Sequence, residues 1–108
     1  MNYSYVIIDD NQENVLETKA TADGFSELSF VGSANNYEDG LNLILEHNPQ
    51  LVFLEIDPEN KKSNLSLALI NELYRYLNVL PKIIITTSKK DLAFEFLATW
   101  IYKPIFLI

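Results

Sequence analysis

Hydrophobic positions in this chain fall into two alternating patterns: short unbroken apolar runs, and longer stretches in which apolar residues recur every three or four positions. Tyr5 to Ile8 is a β-branched and aromatic run that ends abruptly at Asp9-Asp10, as a buried strand does where it leaves a sheet. Val15, Leu16, Lys19 and Ala22 follow at helical spacing, which predicts a helix from about 12 to 23 with Gly24 as its C-cap. Leu28 to Val31 predicts a second strand. Asn35-Asn36 offers caps for a helix whose apolar stripe is Tyr37, Leu41, Ile44 and Leu45 and which stops near Asn48-Pro49. Leu51 to Leu54 is apolar without alternation, the mark of a strand covered on both faces, and it too ends in a carboxylate, Glu55. A polar stretch from Asp57 to Asn64 leads to a third helix carrying Leu67, Leu69, Ile70, Leu73, Tyr74 and Leu77. Pro81 precedes a fourth strand ending in hydroxyls, Lys82 to Thr87. Leu92 to Leu97 predicts a short fourth helix, and Trp100-Ile101-Tyr102 before Lys103-Pro104 reads as the last strand.

Strands alternating with helices require crossovers, so the pattern predicts an α/β fold with a parallel sheet between helix layers. At 108 residues the chain is long enough for one such domain and too short for two of ordinary size. Composition then narrows the function. Fifteen acidic against eight basic side chains leave a formal charge of -7, which opposes binding to a phosphate backbone. Cysteine is absent and His47 is the one histidine, which argues against thiolate or multi-histidine metal sites and a Ser-His-Asp triad. The N-terminus has no basic segment before its short apolar run, so neither a signal peptide nor a membrane span is expected there, and a cytoplasmic, soluble protein is.

In open parallel sheets ligands gather beyond the carboxyl ends of the strands. The residues predicted there are Asp9 and Asp10, Glu55, Thr87 and Lys103. Clustered carboxylates repel one another unless a cation joins them, and a hard ion such as Mg²⁺ prefers carboxylates, water and a phosphoryl group. A lysine and a hydroxyl facing that ion would hold the remaining phosphoryl oxygens.

These residues, in the stretches YVIIDDN at 5 to 11, EDGLNLILEHNPQLVFLEI at 38 to 56, PKIIITTS at 81 to 88 and WIYKPI at 100 to 105, resemble the receiver (CheY-like) domains of two-component response regulators. The resemblance is strongest to those that precede LytTR-type DNA-binding domains, and it covers essentially the whole chain. It implies a flavodoxin-like three-layer sandwich with strand order 2-1-3-4-5, a histidine-kinase phosphodonor or another signalling partner, and no enzymatic activity of the chain's own. By the same resemblance Asp10 is a direct Mg²⁺ ligand with Asp9 as its partner through water, and Asp57 offers a backbone carbonyl. Thr87 and Trp100 match the switch pair. Lys103 matches the lysine that contacts the phosphoryl group, with a cis peptide to Pro104.

The departures are as informative as the matches. Glu55 stands where the family has its phosphoacceptor aspartate, and a carboxylate displaced by ~1 Å can cost ~10²-fold in a positioned reaction. A degenerate receiver that works by docking is therefore expected, with a functional Mg²⁺-dependent phosphoacceptor as the alternative and a Mg²⁺-dependent phosphatase or phosphotransferase behind it. The Glu55 carboxylate either reaches Lys103 or Thr87 in imitation of a phosphorylated state, or forms a plain salt bridge to Lys103. The loop after Glu55 is long and the segment from Ser88 to Thr99 is short for the family. The sequence reaches Ile108 soon after Lys103-Pro104, so residues 1–108 read as a receiver-like domain without its fifth helix, and self-association over the bare sheet is expected. Tyr74, Tyr76 and Leu77, with Phe94, Phe96 and Leu97, form a second candidate docking face.

Overall fold

The computed structural model describes residues 2–86 and 105–107. Its strands are β1 (Tyr3–Ile8), β2 (Leu28–Ala34), β3 (Leu51–Leu54), β4 (Lys82–Ile85) and β5 (Ile105–Leu107). All pair in parallel, in the order β2-β1-β3-β4-β5, which is the flavodoxin-like order. The helices are α1 (Gln12–Ala22), α2 (Tyr37–His47) and α3 (Ala68–Leu73), with a single 3₁₀ turn at Lys61–Ser63.

Crossover handedness explains the layers. The step from β1 to β2 runs one way along the sheet and the steps from β2 to β3 to β4 run the other, so right-handed connections place α1 on one face and α2 and α3 on the opposite face. Strand alternation then sorts the core. Val6, Ile8, Val52, Leu54, Ile83 and Ile85 point to the α2/α3 face, where they pack with Ile44, Leu69, Ile70 and Leu73. Tyr5, Ile7 and Phe53 point the other way, onto Val15 and Ala22 of α1. The Tyr5 ring meets Phe53 edge-on at 5.6 Å and Phe30 at 5.5 Å.

Asn36 caps α2 by accepting from the Asp39 N–H, and Asn48 ends that helix in a left-handed conformation at φ 48°. Gly40 sits where α2 presses onto β1: a Cβ there would come within 3.0 Å of Ile8 Cδ1 and Cγ2.

Four expectations change. Gly24 is not a left-handed cap; α1 ends on Asp23, whose N–H donates to the Lys19 carbonyl, because the chain continues right-handed there. α3 stops at Leu73, and Tyr74 and Tyr76 lie exposed in the turns after it. β4 ends at Ile85, level with Leu54 of β3. The strand beside β4 is Ile105–Leu107, three residues whose partners are Ile83, Ile84 and Ile85. The predicted strand Trp100-Ile101-Tyr102, the helix over Leu92 to Leu97 and the Lys103-Pro104 peptide bond lie outside the described residues.

Candidate functional site

β1, β3 and β4 finish side by side, and main-chain bonds continue their pairing one residue further. The Glu55 N–H donates to the Ile8 carbonyl (2.9 Å) and the Thr86 N–H to the Leu54 carbonyl (3.0 Å). This level edge brings Asp9, Asp10, Glu55 and Thr86 to one end of the sheet.

Asp9 is 2% exposed. Its N–H donates to the Ala34 carbonyl at the end of β2, and its Oδ1 accepts from the Asn11 N–H at 2.9 Å. Burial pushes its carboxyl group above the usual carboxylate range, opposed by the Asn11 hydrogen bond and reinforced by the charge of Asp10. Asp10 reaches across to the loop after β3, where its Oδ2 accepts from the Asn60 N–H at 2.6 Å. Asn11 joins the same clamp. It caps α1 through the Asn14 N–H while its Nδ2 donates to Glu59 Oε2 at 3.3 Å. The Asp9-Asp10-Asn11 run thus fixes both the start of α1 and the long loop after Glu55.

Glu55 is 5% exposed, and its Oε1 accepts from the N–H of Asp57 at 2.8 Å. The additional methylene of glutamate lets the carboxylate fold back onto the main chain two residues on. Asp57 in turn pairs with Lys61 at 3.5 Å.

Thr86 was not singled out by the sequence, which pointed to Thr87. Its Oγ1 is buried, with no hydrogen-bond partner among the described residues. The register supplies the signal that was missed: β3 has four residues, Leu51 lies opposite Lys82, and equal lengths end β4 at Ile85. Thr87, Trp100 and Lys103 lie outside the described residues.

A divalent ion needs carboxylates that converge. Among the described residues no group of three or more carboxylate or imidazole side chains does so. Asp9, Asp10 and Glu55 are instead each drawn onto a different backbone amide, so in this arrangement they do not fit a ready-made Mg²⁺ site. Beside Asp9 a polar cleft of about 420 Å³ opens between α1 and α2, lined by Gln12, Ser33, Asn35, Asp39 and Glu46 among others. No helix of the described residues is long and apolar enough to cross a membrane.

No protein-family model matches the chain, and no curated protein matches it. Solved structures do. A LuxR-family DNA-binding response regulator from Staphylococcus aureus superposes with a TM-score of 0.71 at 22% identity, over 97% of this chain and 85% of that one. The signal receiver domain of the putative response regulator NarL from Mycobacterium tuberculosis gives 0.75 at 17% identity, over 98% and 82%. The anti-anti-sigma factor PhyR from Bartonella quintana gives 0.64 at 13% identity, over 79% of this chain and 34% of its own, so the chain spans about a third of that protein. The chain has the fold of response regulator receiver domains.

Proposed function

We propose that this chain is a receiver-like signalling module, without catalytic activity of its own, that acts by docking to a signalling protein and whose phosphoacceptor position is disabled by Glu55. The observation that supports this most is the 2.8 Å bond from the Asp57 N–H to Glu55 Oε1. A carboxylate that accepts a phosphoryl group must present an oxygen in line with the donor. Here one oxygen is turned back onto the loop, and an N–H donated to a carboxylate withdraws the charge that attack requires. The partner is a histidine kinase or another protein of the same signalling class, and the acidic chain does not itself bind nucleic acid. Mg²⁺ binds weakly at most, because Asp9, Asp10 and Glu55 would each have to release an amide to meet it.

The runner-up reading is a working phosphoacceptor. It is favoured by the placement of Asp9, Asp10 and Glu55 at one end of the sheet, with a Thr86 hydroxyl there that has no hydrogen-bond partner among the described residues. A phosphatase or phosphotransferase stands further back, since its catalytic strand wants two aspartates separated by a spacer and this one ends in Asp9-Asp10-Asn11.

Intact mass after incubation with acetyl phosphate and Mg²⁺ separates the two leading readings. The disabled reading expects no adduct on the wild type and one phosphoryl adduct on Glu55→Asp. A single alkali-labile adduct on the wild type would overturn it in favour of the runner-up.

A further inference from the structure

The sheet face that carries α1 is covered by that helix alone among the described residues, and it is incompletely closed. Beside the end of α1 lies an apolar cavity of about 400 Å³, walled by Leu28, Leu51, Phe53 and Ile84 and edged by Tyr3 and Phe25. Phe25 is 57% exposed. Water against such a surface is unfavourable, and the stable way to cover a sheet is a further helix laid on it beside the first.

We propose that this groove receives the apolar stripe of a basic amphipathic helix from a partner protein. Charge selects the occupant. Glu27 lines the groove. Glu17 lies one turn before Thr21 on the same stripe of α1, and its carbonyl accepts from Thr21 Oγ1 at 3.0 Å. Neither carboxylate has an ion-pair partner among the described residues, where the ion pairs are Lys19–Asp23, Lys61–Asp57 and Arg75–Glu72. Lys82, two residues before Ile84 on the same sheet face, is already engaged in an interaction of its own. Lysines or arginines flanking an apolar stripe would meet Glu17 and Glu27, and the charge of -7 would speed their approach. The self-association expected from the sequence is disfavoured at this face. A two-fold contact sets the same patch against itself, and so acid against acid.

The inference rests on the docking part of the proposed function and is independent of Glu55. The probe is a labelled 18-residue helical peptide with a Leu/Phe stripe flanked by lysines, compared by fluorescence anisotropy with the same peptide carrying glutamates. The lysine peptide is expected to bind the full chain at least about tenfold more tightly. Glu17→Lys with Glu27→Lys abolishes that preference, Phe25→Ser weakens binding by about tenfold, and Glu46→Lys, on α2, changes neither. All four positions are exposed, and circular dichroism verifies the fold of each variant. Equal binding of the two peptides, no saturable binding, or a preference lost equally in Glu46→Lys overturns the proposal. So does a dimer by sedimentation that Phe25→Ser dissociates, since a second copy would then hold the face. Each of these results leaves the acetyl phosphate experiment unchanged, so the two readings fail separately.

Discussion

The two faces of one sheet are built to different standards. On the α2/α3 side aliphatic side chains from β1, β3 and β4 meet Ile44, Leu69, Ile70 and Leu73, and the contact is close enough that α2 carries a glycine over Ile8. On the α1 side, Tyr5 and Phe53 supply much of the contact, and a groove remains beside them. Because strand residues alternate, neighbours such as Ile83 and Ile84 belong to opposite faces. One side of the fold can therefore hold most of the stability while the other is left open to a partner.

The sharpest test of that contrast is a pair of adjacent substitutions. Ile83→Ala, at a fully buried site, should cost about 3 kcal/mol by urea unfolding, whereas Ile84→Ala, half-buried at the groove, should cost only about 1 kcal/mol. Equal losses would mean that the α1 face is as tightly packed as the other.

Adding volume should reverse the comparison. Gly40→Ala gains about 1 kcal/mol of helix propensity but forces a methyl against a buried, β-branched Ile8 that cannot swing clear, for a net loss of about 1 kcal/mol. Thr21→Leu, at the groove, should stay within about 0.5 kcal/mol of wild type in the same assay. A stable Gly40→Ala would show that the sealed face has slack.

Tyr5 ties the α1 face together. Its Oη donates to Asp23 Oδ1 at 3.1 Å, and Asp23 also pairs with Lys19, whose ammonium lies over the Phe30 ring. Tyr5→Phe should cost about 1 kcal/mol at neutral pH. Burial, with the hydrogen bond to Asp23 and its charge, pushes the phenol up to about 12 from its ordinary value of 10.0. The folded state thus holds the proton more tightly than the unfolded state. The stability this confers is complete below pH 10.0 and lost as the pH rises toward 12, so the advantage over Tyr5→Phe should shrink across that interval. A pH-independent difference would remove the phenol from the account.

The smallest expected effect separates backbone from packing. Asn48 closes α2 at φ 48°, where a Cβ costs about 1 kcal/mol unless the side chain can hydrogen-bond locally. Asn48→Ala should lose about that much and Asn48→Gly almost nothing. Comparable losses in both would point to a side-chain contact instead.

Much of this architecture is legible in the chain. Leu51 to Leu54 announces a strand covered on both faces, and the structure gives that strand with the same bounds. Asp9, Asp10 and Glu55 are placed at strand ends because apolar runs stop abruptly at them, and that is where they lie. Other features are not legible. The strand Ile105–Leu107 is defined by its parallel pairing with Ile83, Ile84 and Ile85, a long-range contact that side-chain period does not encode. Thr86 rather than Thr87 adjoins the strand end because register with β3, and not the run of hydroxyls, sets where β4 stops. The turn of Glu55 onto the Asp57 amide depends on a loop conformation held from outside by Asp10 and Asn11.

The sequence by itself determined the alternation of strands and helices, the net charge of -7, and the carboxylates waiting at the strand ends. These are local properties: side-chain period and the point at which an apolar run ends are set within a few residues. The tertiary structure alone decided which amide each carboxylate meets, which hydroxyl follows β4 level with Glu55, and that a groove lined by Glu27 lies beside the end of α1. Those contacts join residues far apart in the chain, and only the packed fold fixes the distances between them.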